Sequence, residues 1–206
     1  MTEAEWLASD DREAMLNWAE RTCWSERKSC LLACACYRKV GDLLTAGLRD
    51  VLRIVERYVD GRASTTKLAN ALRKWPFTWS APSVNPAPQS ASATFAALMD
   101  ARRLASLYQG EGDPRTRARS LYQAVMIRDI FGNPFRPVSF DPSWRTGTAI
   151  RLAQVMYETR DFAAMPILSD ALQDAGCEHA DILDHCRGDS PHVRGCWVVD
   201  LVLGKA

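Results

Sequence analysis

No sign of charge dominates the chain: 26 lysines and arginines stand against 25 aspartates and glutamates over 206 residues. That balance excludes a global field drawing in nucleic acid or an anionic membrane, and leaves only local patches to do so. Long apolar runs are missing too, none approaching the roughly 20 residues that a bilayer-spanning helix needs. The stretch Met1-Thr2-Glu3-Ala4-Glu5 is acidic and lacks the basic start and apolar core of a secretory signal, so a cytoplasmic location and no membrane partner are expected. There is no glycine-rich phosphate loop, nucleophile elbow, HExxH helix or paired CxxC, which weakens the case for an enzyme without abolishing it.

What is there is an ordinary globular composition, 47% hydrophobic and 25% charged, in a chain long enough for one sizeable core or two small ones. The seven cysteines are an odd number, and Cys30, Cys34 and Cys36 crowd one stretch. Complete pairing within one chain is therefore excluded, and a reducing compartment fits better than a disulfide framework.

Apolar residues recur at spacings of three and four, punctuated by caps, which predicts an all-α fold of about nine or ten helices, a multi-helix bundle or irregular helical array. Thr2 and Glu5 form a capping box opening a short helix with Trp6 and Leu7. Asp10 or Asp11 opens a second, Ser25 a third carrying Cys30, Leu31, Cys34 and Tyr37, and a fourth runs through Leu48, Val51, Leu52 and Val55 to a stop at Gly61. Ser64 or Thr65 begins a shorter one with Leu68 and Leu72. Trp75-Pro76 then turns the chain into a Pro/Ser/Ala-rich stretch with no periodicity, an internal loop at 76–92 that separates an N-terminal helical part, 1–75, from a C-terminal one, 93–206, unless the two form one continuous domain.

Past that connection, Phe95 to Tyr108 marks a further helix, and Asp113-Pro114 opens the next, which carries Tyr122, Val125, Met126 and Ile130 and stops at Gly132. Pro134, Pro137 and Pro142 make 133–144 an extended or turning segment of buried character that inserts Phe131 and Phe135 into the core. Two helices follow, through Ile150 to Tyr157 and through Phe162 to Leu172, the second capped by Asp161. Ser190-Pro191 is a further helix start, and Trp197 to Leu203 reads as a buried helix ending at Gly204.

Four blocks, MTEAEWL, LLACACYRK, RDIFGNPFRPVSFDPSW and PILSDALQDAGC…DILDHCRGDSPHVRGCWVVDLVLGK, together resemble an uncharacterised family of bacterial proteins. The resemblance covers roughly Met1 to Val40 and Arg128 to Lys205. It implies a single bacterial cytoplasmic unit and brings no activity with it. Where Cys36-Tyr37 stands, relatives are expected to carry a further cysteine, which argues against every residue of the CAC run being an obligatory ligand and leaves Cys34 possible.

All three histidines, His179, His185 and His192, lie near Cys177, Cys186 and Cys196. Thiolate and imidazole are the donors of zinc sites, and His192 and Cys196, four apart, would share a helix face. Cys186 or His185 would add a third ligand, and Cys177 or the distant Cys30 and Cys34 a fourth. Against this stands the plainer expectation that buried cysteines act as small hydrophobes. A thiol enzyme would pair Cys186 with His192, with Arg187 or Arg194 favouring the thiolate, but no orienting group or oxyanion hole is in view. Cys30 and Cys34 fit a core stripe better than a redox pair. Arg115, Arg117 and Arg119, among interleaved aromatics, would suit nucleic acid, yet Asp100, Glu111, Asp113 and Asp129 balance them as a solvated, salt-bridged face would. The leading expectation is thus a non-catalytic interaction or regulatory protein holding a protein partner. Second stands a zinc-stabilised helical module binding nucleic acid, and third a metal- or thiol-dependent enzyme.

Overall fold

The computed structural model describes residues 1–23, 25–39, 45–73 and 114–205, with side chains from 122 onward in the last stretch. Among the described residues there are ten α-helices and no strand, so the protein is all-α. The Pro/Ser-rich connection at 76–92 and the helix expected through Phe95 to Tyr108 lie outside the described residues. The chain divides into two compact units, one made of 1–23 together with 117–206 and the other of 24–116. The first 23 residues therefore belong with the C-terminal part, a different division from the one that composition suggests at 76–92.

In the unit of 24–116, α3 (Glu26–Lys39) packs on α4 (Ala46–Val59), and α4 on α5 (Thr65–Leu72). Thr45 and Ser64 cap α4 and α5 through hydrogen bonds from Leu48 N and Lys67 N, and Gly61 ends the chain's path out of α4 at φ 70°. Cys30 and Cys34 sit in this core with Val51, Leu52 and Leu68. Burial, backed by the charge of Glu26, pushes the Cys30 thiol up to about 12, so it packs as a protonated hydrophobe.

The same unit holds a charged pair at its edge. Arg38 Nε lies 2.8 Å and Nη2 3.1 Å from the Glu56 carboxylate, whose side chain is only 2% exposed. A bidentate guanidinium compensates much of the cost of desolvating that carboxylate. Arg38→Leu removes both bonds while leaving Glu56 in the core, and is expected to cost about 3 kcal/mol. A urea titration followed by circular dichroism checks this, and an unchanged midpoint would refute it.

The other unit begins with a helical hairpin. Its first arm, α1 (Glu3–Ala8), has a full capping box between Thr2 and Glu5, and its second, α2 (Arg12–Thr22), is capped by Asp11. Six residues are far too few for a helix to stand alone in water. What holds α1 is tertiary: Trp6, fully buried, donates from Nε1 to the carbonyl of Gly132 at 3.1 Å. Gly132 follows α6 (Pro114–Phe131) and takes the left-handed φ of 72°. From the last turn of α6, Arg128 Nη1 donates to the carbonyls of Trp6 at 3.1 Å and Ser9 at 2.9 Å. Those are carbonyls at the end of α1 that lack helical partners.

The segment 133–144 proves half-exposed rather than buried: its first residues lie against this hairpin, while Val138, Phe140 and Trp144 pack, partly buried, on the core of the C-terminal helices. Phe131 is buried, but Phe135 is stacked on Trp18 at 4.6 Å between ring centres. Asn133 and Arg136 both reach Glu3, at 2.7 and 2.6 Å. A short 3-10 turn (Pro142–Trp144), capped by Asp141, leads into α7 (Gly147–Thr159).

The remaining helices are α8 (Met165–Asp174), α9 (Ala180–Arg187) and α10 (Trp197–Leu203). Helix α8 packs on α7 and α9, and α10 on α7 and α9, round a core that includes Met156, Leu168, Ile182 and Val199. Asp161 does not cap α8: its carboxylate accepts from Ala163 N at 3.1 Å in the turn before, and the helix begins only at Met165 with Pro166 in its first turn. Trp197 to Leu203 is a helix, closed by Gly204 at φ 65° and by Arg145, whose guanidinium donates twice to the Leu201 carbonyl.

Candidate metal centre

The expected helix from Pro191 does not form. Residues 188–196 run as a loop. Gly195 takes φ 100°, which no helix accommodates, and the N–H of Val193 ties the loop to α6 by donating to Asp129 Oδ2 at 2.9 Å. His192 and Cys196 therefore share no helix face. They converge all the same, because the loop folds over the last turn of α6.

Four side chains meet there: Asp129 from α6, His185 from α9, His192 from the loop and Cys196 just before α10. Each offers one ligand atom, and these atoms all lie within 4.8 Å of one another. Asp129 Oδ1 is 2.7 Å from His192 Nδ1 and 3.2 Å from His185 Nε2. Cys196 Sγ is 3.2 Å from His185 Nε2 and 3.9 Å from His192 Nδ1. Bonds of about 2.0 Å to nitrogen or oxygen and 2.3 Å to sulfur, at tetrahedral angles, place ligand atoms roughly 3.3–3.6 Å apart. The observed separations bracket that range.

Which atoms are used matters as much as the distances. A Cys-His-Asp relay threads the imidazole, one nitrogen to the thiol and the other to the carboxylate. Here each histidine turns a single nitrogen to both the carboxylate and the sulfur, so the four atoms surround one point. The His192 side chain is only 5% exposed, and among the described residues its Nε2 meets no hydrogen-bond partner. Its polar engagement runs entirely through Nδ1, into the cluster.

Burial by itself pushes the Asp129 carboxyl up, but hydrogen bonds from His185 and His192, and their charge, outweigh it and hold the group below the ordinary aspartate range. Burial pushes the Cys196 thiol well above its usual value, and the neighbouring Asp129 charge adds to this. Only a cation at the common point would reverse that, since a coordinating thiol loses its proton outright.

The four donors come from three separate segments, and only part of the set is visible in the C-terminal sequence. Cys186, although next to His185, projects into the core instead, where burial and the nearby Cys177 push its thiol up to about 12. That makes it a packing residue and a poor nucleophile. His179 precedes α9 as its N-cap, outside the cluster. Arg115, Arg117 and Arg119 stand on the first turns of α6, and their side chains lie outside the described residues. Asp129 escapes a charge-balance reading of the arginine-rich region, yet it left a trace: it stands at the apolar spacing of Tyr122, Val125 and Met126, a carboxylate on a core stripe.

The surroundings of the cluster are closed by aromatic rings. The His185 and His192 rings are 4.8 Å apart and nearly perpendicular, and Trp197 lies 5.1 Å from His185. Trp197 in turn covers Gly132 so tightly that a Cβ there would come 3.2 Å from the indole Cγ. Among the described residues no helix is long and apolar enough to cross a membrane. No protein-family profile, curated protein or solved structure matches the chain.

Proposed function

We propose that this is a non-catalytic helical protein built round one divalent transition-metal site, with zinc the ion its donors fit best and Asp129, His185, His192 and Cys196 as ligands. The observation that carries the reading is the convergence of one nitrogen, oxygen or sulfur atom from each of these four side chains on a single buried point.

Charge supports a divalent ion. One carboxylate, one thiolate and two neutral imidazoles sum to two negative charges, which a 2+ cation cancels, as a buried site requires. Chemistry supports zinc over magnesium or calcium, because those hard ions take six or more oxygen ligands and shun sulfur. Four protein ligands also saturate a tetrahedral ion. A saturated site leaves no position for water or substrate, which is the pattern of structural rather than catalytic zinc. The protein then serves through its surface, holding a partner, while the metal fixes the shape of that surface.

Native mass spectrometry on protein purified without chelator or affinity-tag metal tests this directly. One zinc per chain is expected, lost in Asp129→Asn and Cys196→Ala and retained in Cys186→Ala. A metal-free wild type that stays metal-free on adding zinc would sink the proposal, and loss of metal in Cys186→Ala would put the ligand set elsewhere.

A further inference from the structure

Two adjacent residues on the last turn of α6 face different tasks. Asp129 is a ligand of the cluster, whereas Arg128 grips the N-terminal hairpin through the carbonyls of Trp6 and Ser9, with the Met15 sulfur at 3.9 Å. A second route joins the same two places. The His185 ring packs on Trp197, Trp197 lies over Gly132, and the Gly132 carbonyl accepts the indole N–H of Trp6. Asn133 and Arg136, immediately beyond, hold Glu3. Whatever fixes the end of α6 and the position of Trp197 therefore also fixes the seat of the hairpin.

We infer that the metal site and the docking of the α1–α2 hairpin are thermodynamically linked, so that metal loading tightens the hairpin and metal loss releases it. The inference rests on the metal reading above. Its physical basis is that the hairpin has little stability of its own: α1 spans six residues, and its burial of Trp6 and its orphan carbonyls both depend on α6. Coupling of this kind is reciprocal, so a docked hairpin must raise metal affinity by the same factor by which metal favours docking. Released, the hairpin would uncover Trp6, Trp18 and Phe135, an aromatic surface that the loaded protein keeps packed together. Metal supply would then decide whether that surface is shown.

The test joins limited trypsin digestion of the full chain, with and without zinc, to zinc affinities measured against a chromophoric chelator. Arg12 and Arg21 offer cleavage points within the hairpin, and cleavage there reports the open population. Loading zinc should slow hairpin cleavage about tenfold, a typical size for coupling between sites. Glu3→Ala and Trp6→Phe, which loosen the hairpin without touching a ligand, should weaken zinc binding measurably, by up to about that factor. Binding of one zinc with unchanged cleavage and unchanged affinities would overturn the linkage and leave the metal site standing. A wild type that binds no zinc would overturn both.

Discussion

Free zinc held at about a thousand times its Kd should raise the melting midpoint of the metal-stripped unit that carries the cluster by about 10 °C. A ligand that binds only the native state stabilises it in proportion to the logarithm of its concentration over Kd, about 4 kcal/mol at a thousandfold excess. For a chain of this size each kcal/mol moves the midpoint by roughly 2–4 °C. The sign follows from where the ligands sit. Asp129 and Cys196 stand on elements far apart in the chain, so an ion joining them is a crosslink that the unfolded chain lacks. Calorimetry with and without zinc checks the shift, and Asp129→Asn should abolish it. The α3–α5 core contains none of the four ligands. A midpoint indifferent to zinc would mean that the four side chains satisfy one another without an ion.

The second large effect is on pH. Cys196 is protonated through neutral pH because burial raises its thiol well above the usual value, and zinc must displace that proton. The metal-bound state holds fewer protons than the free one, so acid opposes binding and affinity falls as pH falls. One displaced thiol proton makes the fall about tenfold per unit, or about a hundredfold between pH 9 and pH 7. Asp129 contributes no slope in that window, since its carboxyl lies below the ordinary aspartate range and is already ionised there. Chelator competition at several pH values reads the slope. Cys196→Asp, which offers an oxygen in place of the thiol, should flatten it, and an unchanged slope in that variant would show that the thiol proton is not the one displaced.

Much of the helical architecture is legible in the chain because its signals are local. Thr2 with Glu5, Asp11, Thr45 and Ser64 cap helices within three residues of themselves, and Gly61, Gly132 and Gly204 stop them. Where the reading from sequence departs from the structure, a distant contact is at work. Ser190-Pro191 has every mark of a helix start, but Gly195 takes φ 100° and the segment is tied instead to a carboxylate 64 residues earlier through the Val193 N–H. Phe135 carries core-like character, yet finds Trp18 at the surface of the hairpin. The cluster divides along the same line. His185, His192 and Cys196 crowd together in sequence, so their donor types point to metal before any fold is known. Cys186 matches them in type and differs only in the direction its helix gives it, one position round from His185. Asp129 is out of reach of any spacing rule, because His192, its nearest partner, lies 63 residues on.

The unit that holds the cluster leaves the chain's path after residue 23 and resumes only at 117. During synthesis the α1–α2 hairpin is made before both the carbonyl that receives Trp6 and the sulfur that completes the cluster. At ribosomal rates of roughly 5–20 residues per second, Cys196 follows the hairpin by on the order of ten seconds. Trp6 and Trp18 must wait that long for their seat, in the crowded vicinity of the ribosome. A nascent chain of this design carries two indoles without their seat until the stretch from 117 onward has been made.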